Sequence, residues 1–526
     1  MARSAGILLP VFSLPSDYGI GSLGAEAREF LDFLRAAGQT WWQMLPLTPG
    51  GGGNSPYSSV SSFAGNPLLL DLPLLKEDGL LTAAEVESAR VPGHAAIDYG
   101  AVLASRERLL RLAFRRGWVR DEKRVAAFRA RCPWVEDYAL YLAAKDRFGG
   151  KCWLDWPDEA LRDHAPEAVA AWREELSQDV SFHLYVQYLF DAQWTALKAY
   201  AGEQGVRIIG DLPIYVSLDS ADVWSERRFF RLDEKGYPVE VAGVPPDYFS
   251  QDGQLWGNPL YDWERMRADG FGWWIRRVGG NTGRFDAIRI DHFRAFAAGW
   301  CVPYGEKTAR NGVWRPGPGM DLVGVLTSWF SGTEFLVEDL GLQTPDVAQL
   351  LKDSRMPGMR VLEFAFSDPE NAYLPHNCPE NALCYTGTHD NDTLHGWYRT
   401  ARPEEIAFAE KYLNVTGEEA VCEAVLRAGQ GSVAKYFIAQ LQDYLGLGGE
   451  GRINVPGTVG DGNWSFRLPQ GVLTEALAEK IRALTALYGR CPEREPLTEA
   501  PEADTIATEP VPGKWTLTGD RRNIIR

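Results

Sequence analysis

The sequence predicts an α/β fold of the closed (β/α)8 kind, a TIM barrel with long loop insertions and a mostly helical inserted subdomain. Three observations lead there. Eight short apolar runs, near residues 7, 41, 207, 286, 335, 360, 383 and 452, are interleaved with segments of helical spacing, which is the strand count of such a barrel. Most of these runs end in polar or charged residues, as strands do where a barrel opens onto its catalytic face. The chain of 526 residues is also long enough for one elaborated unit, since barrels with insertions pass roughly 400 residues. A doubly wound open sheet likewise places polar groups at strand ends, so periodicity alone leaves both architectures open.

Taken in order, residues 7–14 are an apolar run that breaks into Ser16-Asp17-Tyr18-Gly19, a strand and then a turn. Residues 25–37 have helical spacing, with Phe30, Leu31, Phe33 and Leu34 as the buried stripe. A second strand at 40–47 leads into a Gly/Ser/Pro-rich loop, 48–67, that contains Ser55-Pro56-Tyr57 and Phe63-Ala64-Gly65-Asn66-Pro67. Loops of this length are usually functional or disordered; aromatic content and Asn-Pro punctuation favour an ordered binding loop. Segments 102–114, 134–148 and 181–200 are helical in spacing with no strand-like run between them, and Phe182, Tyr185 and Phe190 read as helix core. An apolar run containing Asp211 follows at 206–216, and 238–262 read as a second long loop. Helices are expected at 322–330, 345–354, 404–413 and 432–445, between strands near 286, 335, 360, 383 and 452. The organisation expected is a barrel start with its binding loop at 1–79, a helical insertion at 80–204, the rest of the barrel at 205–490, and an acidic, Pro-rich tail at 491–526.

Composition narrows the chemistry. With 54 Lys and Arg against 71 Asp and Glu, the net charge of −17 argues against a nucleic acid or an anionic membrane as partner. Nineteen Trp, 20 Tyr and 23 Phe serve mostly as core, but a sugar's C–H face also stacks on aromatic rings. The seven cysteines are scattered without a Cys-x-x-Cys pair, which fits a reducing, cytoplasmic compartment and no thiolate zinc site. The apolar run at 6–14 carries Pro10 and is too short to span a membrane. No His-Glu-x-x-His, Gly-x-Gly-x-x-Gly or Walker-type loop occurs, so neither a metal nor a nucleotide cofactor is expected.

The chemistry concentrates in residues 283–300. A buried-strand pattern (Phe285, Ala287, Ile288, Ile290) runs out into Arg289, Asp291, His292 and Arg294. Arg289 lies two residues before Asp291 on the same strand face and can hold it ionised. By itself this pair is also what an ion pair closing a strand looks like. Asp211, Glu338 and Asp390 fall at other strand ends. Glycosidic cleavage needs an acid for the leaving oxygen and a carboxylate for the positive anomeric carbon. Asp291 suits the nucleophile. Glu338, covered and beside a negative neighbour, suits the acid with a raised pKa. Asp390, preceded by His389, is placed to bond sugar hydroxyls. A carbohydrate-binding scaffold would need the aromatics but not the converging carboxylates, and a hydrolytic glycosidase would share all of them.

The chain closely resembles the amylomaltases (disproportionating enzymes, 4-α-glucanotransferases), a branch of the α-amylase-related barrel enzymes. The resemblance runs from Gly6 to about Arg467. It rests on the Ser55 and Phe63 motifs, Gly210-Asp211-Leu212-Pro213-Ile214-Tyr215-Val216, Gly243-Val244-Pro245-Pro246-Asp247-Tyr248-Phe249-Ser250, Leu255-Trp256-Gly257-Asn258-Pro259, Arg289-Ile290-Asp291-His292-Phe293-Arg294, Glu338-Asp339-Leu340-Gly341, Tyr385-Thr386-Gly387-Thr388-His389-Asp390-Asn391-Asp392 and Arg452-Ile453-Asn454-Val455. It implies transfer of α-1,4-glucan segments from a glucan or maltooligosaccharide donor to a glucose or maltooligosaccharide acceptor. Position by position it implies Asp291 as nucleophile, Glu338 as acid/base and Asp390 as transition-state stabiliser. Arg289, His389, Asp211 and Tyr57 would line the cleaved sugar's subsite, and Ser55, Gln254, Trp256, Asp368 and Asn454 the neighbouring ones. Tyr248 would lie in a loop that covers the site. Val455, residues 458–462 and the tail after Cys491 depart from the family pattern.

Overall fold

The computed structural model describes residues 3–91, 96–246, 250–341, 344–460 and 462–492. Its strands, in chain order, are β1 Ser4–Leu8, β2 Trp41–Gln43, β3 Arg207–Leu212, β4 Glu240–Val244, β5 Gln254–Pro259, β6 Ala287–Ile290, β7 Ala298–Pro303, β8 Val313–Pro316, β9 Glu334–Val337, β10 Gly358–Val361, β11 Ala382–Tyr385 and β12 Tyr436–Gln440. Eight of them close into a barrel in the order β1-β12-β11-β10-β9-β6-β3-β2, every pairing parallel. Its strands are short and almost wholly buried, for example Ala287, Ile288 and Ile290 on β6 at 0–1% exposure, because helices cover the outside and side chains fill the inside. Burying one such Ile or Val stabilises by about 1.5–3 kcal/mol. The (β/α)8 expectation is met.

The eighth strand is not the one expected. Residues 436–440, placed by periodicity inside a helix at 432–445, form β12 and close the barrel between β11 and β1. All five residues are buried, so no alternation marks them, and a short run apolar on both faces cannot be told from a helix by spacing. The segment around 452, expected as the strand, is a loop behind the turn Gly449–Gly451. A second difference is the four-stranded antiparallel sheet β5-β4-β7-β8. Two of its strands lie inside the expected loop 238–262, where Pro, Gly and a half-exposed β5 disguise the pattern.

Between β2 and β3 the described residues form helices and loops without a strand. The 27-residue helix Ser177–Glu203 packs on Val135–Arg147, on Ala25–Ala36 and on β3, so it belongs to the helical layer around the barrel as well. Loop 48–67 is tied down: the Ser62 N–H donates to Asp222 Oδ2 at 2.8 Å, the Ala221 N–H to the Val60 carbonyl at 2.9 Å, and the Gly65 N–H to Gln187 Oε1 at 2.8 Å. Among the described residues no helix is long and apolar enough to cross a membrane.

Candidate active site

Register brings the first charges together. Asp211 on β3 is the direct partner of Arg289 on β6, and β6 pairs in turn with β9 up to Ile290 and Val337. The residues that follow those last two are Asp291 and Glu338, so both leave the barrel side by side. Arg289 Nη1 donates to both oxygens of Asp211 at 2.8 Å and to Asp291 Oδ1 at 3.0 Å, and its Nη2 reaches Glu338 Oε2 at 3.5 Å. One buried guanidinium therefore serves three carboxylates. Asp211 is the innermost, with a fully buried side chain, and accepts a further bond from the Tyr57 hydroxyl at 2.6 Å.

The turn after Asp291 holds Glu338. His292 takes a left-handed backbone, φ 46°, uncommon for a residue with a side chain and frequent where a site requires it. Its N–H thereby points at Glu338 Oε2, 2.7 Å away. Trp256 meets the His292 ring edge-on at 4.8 Å and donates from Nε1 to Gln254 Oε1 at 3.2 Å, which places β5 along one wall.

The opposite wall is the turn after β11. His389 is buried and stacks on Tyr57 with centroids 5.0 Å apart, and its Nε2 lies 3.5 Å from Asp390 Oδ1. Asp390 is the most open of the acids, its side chain 45% exposed. Asn454 Nδ2 donates to Asp390 Oδ1 at 2.6 Å and Arg452 Nη2 to its carbonyl at 2.8 Å.

Eight of the thirteen residues read from the sequence are thus linked directly: Tyr57, Asp211, Arg289, Asp291, Glu338, His389, Asp390 and Asn454. Gln254 and Trp256 join through His292. Ser55 joins only by accepting the Tyr57 N–H at 3.3 Å. Asp368 follows β10 on the same end of the barrel but is exposed, and its carboxylate caps its own turn through Ser367 and Glu370. Tyr248 lies outside the described residues. Three participants have no role in the sequence reading. His292, named in the strand-end cluster without a role, contributes its backbone N–H and a ring edge for Trp256; Arg452 falls where a strand is expected; and Trp464, 5.8 Å from Tyr57 and 5.9 Å from His389, has no local signal.

The electrostatics differ from the simple expectation that Arg289 keeps Asp291 ionised and leaves the raised pKa to Glu338. Burial raises both carboxyls, and Asp291 is pushed up to about 7 by burial and by Glu338 and Asp390, against the pull of Arg289. One positive charge shared by three carboxylates cannot keep all of them ionised in a dry site. Asp291 and Glu338 therefore titrate as a pair that retains a proton toward neutral pH. Burial lowers the His389 pKa, and its ring is neutral at pH 7. A proton shared between two adjacent carboxyls supplies an acid and a nucleophile together, and the third acid stands across the opening.

Comparison with known proteins agrees with this geometry. A family model described as 4-alpha-glucanotransferase matches residues 9–474. A 4-alpha-glucanotransferase of Thermus thermophilus is 46% identical over 497 residues, covering 92% of this chain and 98% of its own. One of Clostridium butyricum is 43% identical over 487 residues, 91% of this chain and 99% of its own. The solved amylomaltase from Streptococcus agalactiae in complex with acarbose superposes with a TM-score of 0.90 at 37% identity, over 93% of this chain and 100% of that one. A match that runs through both barrel and site, at these identities, means that the chain belongs to the 4-alpha-glucanotransferase family.

Proposed function

We propose that this protein moves a segment of an α-1,4-glucan to the 4-hydroxyl of an acceptor glucose or maltooligosaccharide by a retaining double displacement. The observation that carries the reading is the Arg289 guanidinium shared by Asp211, Asp291 and Glu338 at one end of the barrel. In the reactive arrangement the shared proton is on Glu338 and Asp291 is the anion, 3.0 Å from Arg289. Asp291 forms a bond to the anomeric carbon as the glycosidic C–O bond breaks, and Glu338 gives its proton to the departing sugar oxygen. Glu338, now ionised, takes the proton of the acceptor's 4-hydroxyl as that oxygen displaces Asp291. The second displacement restores the original configuration and returns the proton to Glu338. Asp390, held by Asn454 and beside neutral His389, bonds hydroxyls of the distorted sugar and faces the positive charge of the transition state.

Glucan transfer rather than hydrolysis is what the family membership supports. Loop 48–67, anchored as described, and the aromatic wall of β5 would hold an acceptor sugar in line while excluding water. Maltotriose supplied alone, with products separated by chromatography, tests this. The expected result is glucose plus a ladder of longer maltooligosaccharides with little gain in reducing ends. A steady rise in reducing ends without a ladder would mean a hydrolase. Cytoplasmic residence is part of the same proposal; all seven cysteines are free thiols, as a reducing compartment would leave them.

A further inference from the structure

Behind the turn that carries His389 and Asp390 lies a carboxyl with no part in the steps above. Glu363 follows β10, is 9% exposed, and donates its backbone N–H to the Thr386 carbonyl at 3.2 Å. Its side chain runs beneath Gly387. A Cβ at that glycine would stand 2.6 Å from Glu363 Oε1, 2.9 Å from Gln440 Nε2 and 3.0 Å from Asn391 Cβ, so a side chain at position 387 would push these groups aside. From Asn391, on the far side of Gly387, a chain of bonds leads to the site. Asn391 Oδ1 accepts from the N–H and the hydroxyl of Thr388, each at 2.9 Å, and Thr388 Oγ1 accepts the Asp390 N–H at 3.3 Å. Gln440 Nε2 fixes the far end of the turn by donating to the Asp392 carbonyl at 2.8 Å.

We propose that Glu363 is a positioning residue for glucan transfer: from beneath Gly387 its carboxyl fixes the turn that aims Asp390 and His389 at the sugar. The inference rests on the reading of Asp390 given above. Glu363 does this as a neutral acid. Its Oε1 is buried without a hydrogen-bond partner, and a buried carboxylate oxygen that no donor meets is costly unless the carboxyl carries a proton. The charged groups that face it are Asp443 from beyond β12, Asp392 from the turn and Arg452 from the loop before Asn454; burial and the two acids push its pKa well above the carboxylate range, against Arg452 and the Asn391 amide.

The test compares Glu363→Gln, Glu363→Asp and Glu363→Ala with the parent on maltotriose, well below each variant's Tm. Glutamine, neutral and of the same shape, is expected to keep kcat within about twofold. Alanine is expected to lower kcat by roughly tenfold or more with KM changed less, the pattern of a misaimed catalytic group. Aspartate, one methylene short, is expected between the two, and it stands in for alanine if that variant does not fold. In an Asp390→Asn background, assayed on α-glucosyl fluoride, Glu363→Ala is expected to cost little more, because the group it positions is gone. Glutamine falling as far as alanine would overturn the neutral clamp. Full kcat in the alanine and aspartate variants, or an undiminished loss in the Asp390→Asn background, would reduce Glu363 to packing. An active Asp390→Asn single variant would instead overturn the reading of Asp390 itself.

Discussion

Asp291 and Asp390 reach the same opening by different routes. Asp291 is the first residue beyond β6, fixed by barrel register and bound to a guanidinium on its own strand; its side chain is 23% exposed. Asp390 stands five residues beyond β11, its side chain 45% exposed, and is held by Asn454 and Arg452 from a loop more than 60 positions further on. The first acid is positioned by the part of the molecule that cannot move without opening the barrel. The second depends on side-chain bonds between loops. Electrostatics therefore governs the Asp291 side of the site, and alignment governs the Asp390 side.

The comparison makes its largest prediction at the strand end. Asp291→Asn should cut transfer by on the order of 10⁴-fold or more, since it removes the attacking charge and almost no volume. A folded variant with near-parental turnover would break the assignment. Glu338→Gln should lose roughly 10²–10⁴-fold on maltotriose but much less on α-glucosyl fluoride, whose leaving group needs no proton. Equal losses on the two substrates would remove Glu338 from the acid role.

On the loop side the effect should be smaller. Asn454→Ala frees Asp390 Oδ1 from its 2.6 Å bond and should lower kcat by roughly tenfold. A loss as large as that of Asp291→Asn would erase the distinction between the two routes.

The smallest predicted effect concerns stability. Asp291 has a folded pKa of about 7, above the carboxylate value of 3.8 that applies to the unfolded chain. Between those values the folded state holds more protons than the unfolded one, so the contribution of Asp291 to stability is lost as pH rises through that window. Asp291→Asn escapes the loss. The variant should melt roughly 2 °C above the parent at pH 8, with the gain gone by pH 4. A lower Tm at pH 8 would mean that Arg289 compensates Asp291 fully, and a gain that persisted at pH 4 would mean that titration of Asp291 is not its source.

What the sequence by itself determined is the class of fold and the acids that the structure brings to one opening. Short apolar runs that end in charge repeat a local pattern, and the motifs around Asp211, Asp291, Glu338 and Asp390 are contiguous, so both could be read without knowing what touches what. Only the tertiary structure decided that residues 436–440 close the barrel and that 452–455 form a loop which reaches back to Asp390. A strand buried on both faces carries no alternation, and its identity depends on neighbours that lie far away in the chain. The same holds for charge. Arg289-x-Asp291 suggested one cation for one acid, but Asp211 arrives from 78 positions away and Glu338 from 49. Protonation is set by the sum over all groups in a buried site, and that sum exists only once the barrel has closed.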